Sequence, residues 1–182
     1  MAALRSGWSP DNLRPAAADE ELQRIETDPD SYLELLTDPQ ARGGPVTLPD
    51  GTQVPRLPGF RRWIWDGEFC GIINLRWQPG TEALPAYALG HVGYAVVPWK
   101  RRRGYASAAL RLMLPLARAE GLRWIEVTTD LDNVASQAVV KAAGGVLVER
   151  FVKPAAYGSI ESVRFRVPTQ VAAAEPSATD AG

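Results

Sequence analysis

The chain has 182 residues, 46% of them hydrophobic and 23% charged, which are the proportions of a globular protein with one sizeable core. Its 20 basic and 21 acidic residues leave a net charge of −1, so no overall field would recruit nucleic acid or a membrane surface. One cysteine, Cys70, and one histidine, His91, exclude a disulfide framework and cannot supply the usual zinc ligands. No apolar run approaches the ~20 residues that a membrane span needs, and we expect a cytoplasmic protein.

The first part of the sequence predicts an N-terminal segment without regular structure, followed by helices. Residues 1–15 are polar and contain two prolines, so we expect a segment that is either flexible or draped over the surface. Residues 16–37 have apolar positions at helical spacing, and Asp28-Pro29-Asp30 divides them into two short helices. Residues 43–59 are rich in proline and predict a loop or a segment at a strand edge.

A β-hairpin is predicted next. Two apolar runs, 60–65 and 69–77, flank Asp66-Gly67, and an Asp-Gly pair between apolar runs is a strong signal for a tight turn. Cys70 lies within the second run, where it is typical of a buried packing residue.

The segment from Tyr94 to Ser107 is the most informative part of the sequence. An apolar strand ends at Pro98, a basic loop follows, and an alanine- and leucine-rich helix begins at Gly104. Unpaired amides at a helix N-terminus favour phosphate, and Gly104 and Ala106 leave the main chain open to a ligand. The pattern therefore predicts a cradle for a diphosphate, although a solvated basic turn would have the same composition.

The rest of the chain predicts a strand, a short helix and two final strands. Residues 123–129 are rich in β-branched and aromatic residues, and Asn133 precedes a helix that ends at Gly144. Residues 146–152 and 159–167 read as a strand pair. From Thr169 onward there are too few apolar residues to fold, so we expect a disordered tail.

Two of these motifs together resemble a known family. Arg101-x-x-Gly104-x-Ala106 is similar to the [Gln/Arg]-x-x-Gly-x-[Gly/Ala] signature of the GNAT superfamily of N-acetyltransferases, and Asn133, Ser136 and Gly144 hold the spacing of its second signature. The resemblance runs from about residue 60 to residue 167. Shorter stretches around His91, Tyr105 and Gly145 are similar to a bacterial group of GNAT acetyltransferases with poorly defined substrates.

The resemblance implies an α/β (α+β) fold: a central mixed, mostly antiparallel β-sheet flanked by helices in a single domain. We expect a flexible segment at 1–15, the acetyltransferase domain at 16–167 and a disordered tail at 168–182. It also implies that acetyl-CoA donates an acetyl group directly to an amine of a small molecule or protein, in a monomer or homodimer. The residues expected to hold acetyl-CoA are Tyr94, Ala95, Val96, Val97, Arg101, Arg102, Arg103, Gly104, Tyr105, Ala106, Ser107, Asn133 and Ser136.

The catalytic residues are less well marked. Glu126 lies in the strand where some family members use a carboxylate as the general base, but a strand carboxylate paired with an arginine would have the same sequence. His91 has a pKa suited to acid–base work, and a lone histidine at a strand start is also typical of a structural role. Ordered water is a third candidate.

The general acid departs from the family pattern. Many members place a tyrosine seven residues after the motif asparagine, where it protonates the leaving thiolate, and here that position is Val140. Tyr94, Tyr105 or Tyr157 could replace it. This departure keeps open a second hypothesis, a catalytically silent module that binds acyl-CoA. A third hypothesis, a nucleic-acid-binding protein that uses Trp99 and the basic loop, conflicts with the near-neutral charge.

Overall fold

The computed structural model describes residues 1–11 and 13–170. Its helices are α1 (Ala2–Arg5), α2 (Ala17–Thr27), α3 (Pro29–Glu34), α4 (Tyr105–Ala119) and α5 (Val134–Ala142), with 3-10 turns at Pro98–Lys100 and Ala155–Tyr157. Its strands are β1 (Thr37–Asp38), β2 (Val46–Thr47), β3 (Gln53–Val54), β4 (Gly59–Trp65), β5 (Phe69–Arg76), β6 (Val92–Val96), β7 (Trp124–Asp130), β8 (Val146–Val152) and β9 (Glu161–Pro168).

The strands form two principal sheets rather than one continuous sheet. The first has the order β1-β4-β5-β6 and the second the order β7-β9-β8, and β2 and β3 pair separately. Every pairing within these sheets is antiparallel. The predicted hairpin is confirmed as β4 and β5, joined by the turn at Asp66-Gly67. The expected fold, mostly antiparallel strands flanked by helices in a single domain, is confirmed, and the expected central sheet is divided into two.

The two sheets meet at one point. The His91 amide donates to the carbonyl of Glu126 at 2.8 Å, just before β6 begins. A Cβ on Gly90 would lie 2.9 Å from the same carbonyl, so the backbones approach too closely there for a side chain. Beyond this contact β6 and β7 are not hydrogen-bonded to each other, and residues of both strands line an open groove.

Two apolar clusters enclose the first sheet. The larger one joins both sheets to the buried side of α4, which presents Ala109, Leu110, Met113, Leu114 and Ala117 at helical spacing. The smaller one packs α1 and α2 against the opposite face of β5 and β6. The groove opens on this α2 side of the sheet.

The N-terminal segment differs from the expected flexible chain. Residues 2–5 form α1, and Trp8 is only 7% exposed because its ring packs edge-on against Phe69 at 5.3 Å between centroids. Ala3 and Leu4 are also buried. The polar composition of this segment hides three apolar residues that cover the sheet.

The C-terminal boundary also lies later than expected. β9 extends to Pro168, and the Thr169 amide donates to the carbonyl of Arg123 at 3.0 Å. The first residues assigned to the tail therefore belong to the fold. Most of the predicted tail, residues 171–182, lies outside the described residues. No helix among the described residues is long and apolar enough to cross a membrane.

Candidate functional site

The predicted anion loop lies at the N-terminus of α4. Arg102 and Gly104 have positive φ values of 61° and 79°, which turn the chain from the 3-10 turn into the helix. Within the described part of the chain, none of the amides of residues 102–107 donates to a protein acceptor. A Cβ on Gly104 would meet nothing within 4 Å, so the loop opens outward. Six consecutive amide donors at the positive end of a 15-residue helix suit a diphosphate.

The basic side chains of this loop have different surroundings. The Arg101 Nε donates to the Val96 carbonyl at 3.2 Å, and Arg101 and Arg102 both line the groove. Arg103 is exposed and is not part of the groove lining. Lys100 is buried and bridges Asp66 and Glu68 at 3.0 and 2.9 Å, so its charge is already neutralised.

Alternate residues of β6 leave their backbone groups unpaired along the edge that faces away from β5. The Val97 amide donates to the Cys70 carbonyl, and the His91 carbonyl accepts from Arg76, so odd-numbered residues of β6 face β5. The backbone groups of Tyr94 and Val96 therefore point toward the groove between the sheets. Of the four strand residues expected to bind the donor, Ala95 and Val97 use their backbone within the sheet.

The second sequence motif, at Asn133 and Ser136, contacts β6 at the groove. The Asn133 side chain accepts from the Ser136 amide at 3.1 Å and caps α5, which is the helix-capping role that the sequence also allowed. The Ser136 hydroxyl lies 2.7 Å from the Tyr94 hydroxyl. Burial raises the pKa of Tyr94 above its ordinary value, which keeps the phenol protonated at neutral pH.

One groove of about 1580 Å³ connects these parts. Its lining includes all the predicted donor-binding residues except Val97 and Arg103. It continues under α2 and α3, along the face of β4 and β5 that these helices cover.

Glu126 is paired rather than free. One carboxylate oxygen accepts from Arg166 at 2.8 Å, and the other lies 3.7 Å from Arg164. Both arginines are opposite β7 on β9, where Glu126 is in register with Arg166. Glu126 is not part of the groove lining. The geometry favours the arginine-paired interpretation of this residue over the general base.

The contacts of His91 also favour a structural role over a catalytic one. It is fully buried, and its Nδ1 accepts from the Glu126 amide at 2.9 Å, which adds a second bond to the junction of the sheets. Desolvation lowers the pKa of His91 to about 4, so the ring is neutral at pH 7. It does not line the groove.

Val140 has a physical reason for not being tyrosine. It is fully buried, and its Cγ1 lies only 2.6 Å from where a Cβ on Gly145 would be. Of the three alternative tyrosines, Tyr105 donates to Asp66 and Tyr157 to the Tyr87 carbonyl. Tyr94 alone among them contacts the start of α5.

A polar network at the α2 side of the groove was not predicted from the sequence. Arg61 pairs with Glu21 and donates from Nε to Asn74 at 2.9 Å, and Tyr32 donates to Glu21 at 2.9 Å. Desolvation raises the pKa of Tyr32 to about 12, and the Glu21 charge acts in the same direction. The signal was Asn74 and Arg76, two polar residues at alternate positions of an otherwise apolar strand.

The residues present fit acetyl-CoA. The free amides and Arg101 suit its diphosphate, and the open edge of β6 suits its extended pantetheine arm. Among the described residues, no group of three His, Cys, Asp or Glu side chains could hold a metal ion.

Comparisons with known proteins agree with this geometry. The acetyltransferase (GNAT) domain model matches residues 12–146, which is most of the chain. No curated protein matches the sequence.

Solved structures show the same fold. The microcin C7 self-immunity acetyltransferase MccE, in complex with acetyl-CoA and AMP, is 9% identical, with a TM-score of 0.58 over 92% of this chain and 83% of its own. The yncA protein from Salmonella typhimurium, with its cofactor acetyl-CoA, is 14% identical, with a TM-score of 0.51 over 90% of this chain and 80% of its own.

Other neighbours match over less of their length. A mutant of the spermidine N-acetyltransferase SpeG from Vibrio cholerae is 14% identical, with a TM-score of 0.48 over 61% of this chain and 66% of its own. The chain spans between 59% and 66% of the length of this and two similar neighbours. The match to the domain model shows that the chain belongs to the GNAT acetyltransferase family, whose domain uses acetyl-CoA as its acetyl donor.

Proposed function

We propose that the protein is an N-acetyltransferase that transfers the acetyl group of acetyl-CoA directly to an amine of a small molecule or protein. The observation that carries this proposal is the run of six free amides, residues 102–107, beside the open edge of β6. Diphosphate and pantetheine need these two features side by side, because one is anionic and the other an extended amide chain.

The donor is bound mainly by backbone. In this proposal the amides of residues 102–107, with Arg101 and Arg102, hold the diphosphate. The free backbone groups of Tyr94 pair with the pantetheine, and the free Val96 amide polarises the thioester oxygen. Side chains at these two β6 positions are not needed for that role, which explains why valine is acceptable at residue 96.

The reaction is a direct acyl transfer. The neutral amine forms a C–N bond to the thioester carbonyl, the C–S bond breaks, the amine loses a proton and the thiolate gains one. We assign the donated proton to Tyr94, because its hydroxyl lies at the start of α5 and Ser136 can pass a proton to it along a 2.7 Å contact. The amine proton passes to water in the groove, since neither Glu126 nor His91 lines it.

The buried valine at position 140 favours a second candidate, a silent module that binds acyl-CoA without transfer. It would share the donor site and lack the acid. Turnover separates the two, because only the enzyme releases a free thiol in the presence of an amine.

The first experiment is calorimetric titration of acetyl-CoA into the intact protein and into Gly104→Glu. We expect binding that weakens about 100-fold or more in the variant, because a carboxylate would stand among the phosphate-binding amides. Gly121→Glu is the matched control: Gly121 has a similar φ of 88° and an equally open Cβ position, at the other end of α4. It should bind as the unmodified protein does.

Three outcomes are informative. Binding lost only at Gly104, with release of thiol when an amine panel is added, supports the enzyme. Binding without release from any amine supports the silent module. Absence of binding by the intact protein contradicts both.

A further inference from the structure

The α2 side of the groove contains a row of residues that extends across three strands. Arg61 of β4 is opposite Asn74 of β5, which is opposite Gly93 of β6. Arg76 lies two residues beyond Asn74 and so shares its face of the sheet. Gly93 has no side chain, so the row ends in open space directly beside the donor edge at Tyr94.

Arg76 reaches over this open space. Its Nε donates to the Gly90 carbonyl at 2.8 Å, which fixes the side chain along β6. One terminal nitrogen lies 3.7 Å from where a Cβ on Gly93 would be. Within residues 1–11 and 13–170, its two terminal nitrogens make no hydrogen bond and no ion pair. Four N–H groups therefore face the groove next to the donor edge.

The pKa of Arg61 and the pKa of Arg76 are shifted in opposite directions. The Glu21 charge and the Tyr32 phenol overcome desolvation and raise the pKa of Arg61, as for a paired guanidinium. Desolvation lowers the pKa of Arg76, and the nearby Tyr157 and Asp11 do not offset it. Arg76 is exposed as a residue, and its guanidinium has no ion-pair partner among the described residues, because Asp11 acts on it only through its charge at a distance.

The carboxylates of the groove are already engaged. Glu20 and Glu21 pair with arginines, and Asp130 pairs with Lys153. The others accept backbone amides: Asp11 from Leu13, Asp28 from Ser31, and Asp38 from Arg42 and Gly43. The lining contains nine arginines and lysines against these six carboxylates, so its charge favours an anionic ligand over a cationic acceptor such as a polyamine.

Two further arginines extend the same surface. Arg24 and Arg56 line the groove and have no ion pair among the described residues. The Arg56 Nε donates to the Gly44 carbonyl at 2.9 Å, and desolvation lowers the pKa of Arg56, with Asp38 offsetting part of this effect. The α2 side of the groove therefore presents guanidinium groups that have no ion-pair partner among the described residues.

We propose that the acceptor is a small amine that also carries a carboxylate or phosphate group, and that Arg76 binds this anion while the amine lies over Gly93. A guanidinium binds either anion through two parallel hydrogen bonds, and both ends of such a ligand then have a partner. Arg76 is a specificity-determining residue in this proposal. The inference rests on the proposed acetyl transfer and deepens it.

The test compares acceptors that differ by the anion alone. L-phenylalanine against phenethylamine tests the carboxylate, and phosphoethanolamine against ethanolamine tests the phosphate, with release of free thiol from acetyl-CoA as the readout. We expect the member with the anionic group, in at least one pair, to have the higher kcat/KM by roughly 100-fold, since the member without that group leaves the guanidinium unpaired. The pair that discriminates identifies the anion.

Two variants assign the effect to the residue. Arg76→Gln should lower kcat/KM roughly 100-fold, mainly through KM, for the acceptor that has the carboxylate or phosphate, and leave kcat/KM unchanged for the amine that lacks it. Arg76→Lys should restore part of the loss. Arg62→Gln is the control, because Arg62 is on the opposite face of β4 and donates to Thr37 instead. Unchanged calorimetric affinity for acetyl-CoA shows that each variant is folded.

Failure of this inference differs from failure of the proposed function. Equal turnover of both members of each pair, or an equal loss of both in Arg76→Gln, overturns the anionic acceptor while leaving acetyl transfer in place. Binding of acetyl-CoA without turnover of any of the four amines also overturns it. Absence of acetyl-CoA binding contradicts the function itself.

Discussion

At the scale of single residues, Tyr94 joins the two sequence motifs. Its backbone is on the free edge of β6, its ring packs against the larger apolar cluster, and its hydroxyl contacts Ser136 at the start of α5. Val140 is fixed in the core beneath Gly145 and has no hydroxyl. Tyr94 supplies a hydroxyl at the start of α5 from the strand that we propose binds the donor.

A conservative substitution tests this residue. Tyr94→Phe should lower kcat about 100-fold, the usual contribution of a general acid, and leave the KM for acetyl-CoA within about twofold. Because burial raises the pKa of Tyr94, activity of the unmodified protein should not fall through loss of this proton below pH 10. Steady-state kinetics between pH 6 and pH 9.5 measure both, and an unchanged kcat in the variant would exclude Tyr94 as the acid.

Glu126 illustrates what the sequence could and could not predict about a candidate catalytic residue. The alternation of β7 correctly predicts which face Glu126 shares with Trp124 and Thr128. It does not predict that β9 pairs with β7 in a register that brings Arg166 opposite Glu126. That partner is 40 residues away in the chain, so no local pattern contains it.

At the scale of elements, His91 links β6 to β7. Its ring accepts from the Glu126 amide while its own amide donates to the Glu126 carbonyl, and the Thr128 hydroxyl donates to the Leu89 carbonyl beside them. Only a neutral ring can accept at Nδ1. The junction therefore depends on the protonation state of a buried group.

Protonation of His91 should lower the stability of the folded protein as the pH falls. Since the folded pKa of about 4 lies below the unfolded value of 6.5, the stability that the neutral ring contributes is fully present above pH 6.5 and is lost between pH 6.5 and pH 4. Over that window the loss is about 3 kcal/mol for a shift of this size. His91→Asn retains an acceptor without titrating, so we expect it to remove this part of the pH dependence.

Urea unfolding of both proteins at pH 7.5 and pH 5 measures the effect. We expect the unmodified protein to lose about 2 kcal/mol more than His91→Asn between these values. Equal losses would mean that the ring is accessible to protons in the folded state.

Most elements were predictable because their signals are local. The Asp66-Gly67 turn, the apolar runs of β5 and β6, and Gly104 at the start of α4 each fix an element within a few residues. The division into two sheets was not predictable, because it depends on long-range strand pairing that no local pattern contains. The loop that we propose binds the donor was visible in the sequence, whereas the proposed acceptor side of the groove required the sheet register.

At the scale of the whole molecule, the N-terminal segment completes the fold. Trp8 and Leu4 cover the α2 face of β5 and β6, where they pack in one cluster with Ile72, Ala95 and Val97. This cluster is directly behind the strand that we propose binds the donor. A segment that composition alone classifies as flexible therefore supports the site.

Trp8→Ala tests this support. Removal of a buried tryptophan ring should lower the free energy of unfolding by about 3 to 5 kcal/mol. Trp65→Ala is the matched control, because Trp65 is 62% exposed and should cost less than about 1 kcal/mol. Urea denaturation of the two variants provides the comparison, and similar small losses in both would show that the N-terminal segment contributes little.

The bridge from Lys100 to Asp66 and Glu68 has one more consequence. It ties the start of the anion loop to the tip of a hairpin 34 residues earlier in the chain, and neither carboxylate lines the groove. A loop whose shape is settled before a ligand arrives loses little conformational entropy on binding. The affinity of this loop for its ligand therefore depends on preorganisation by a distant turn as well as on the groups that touch the ligand.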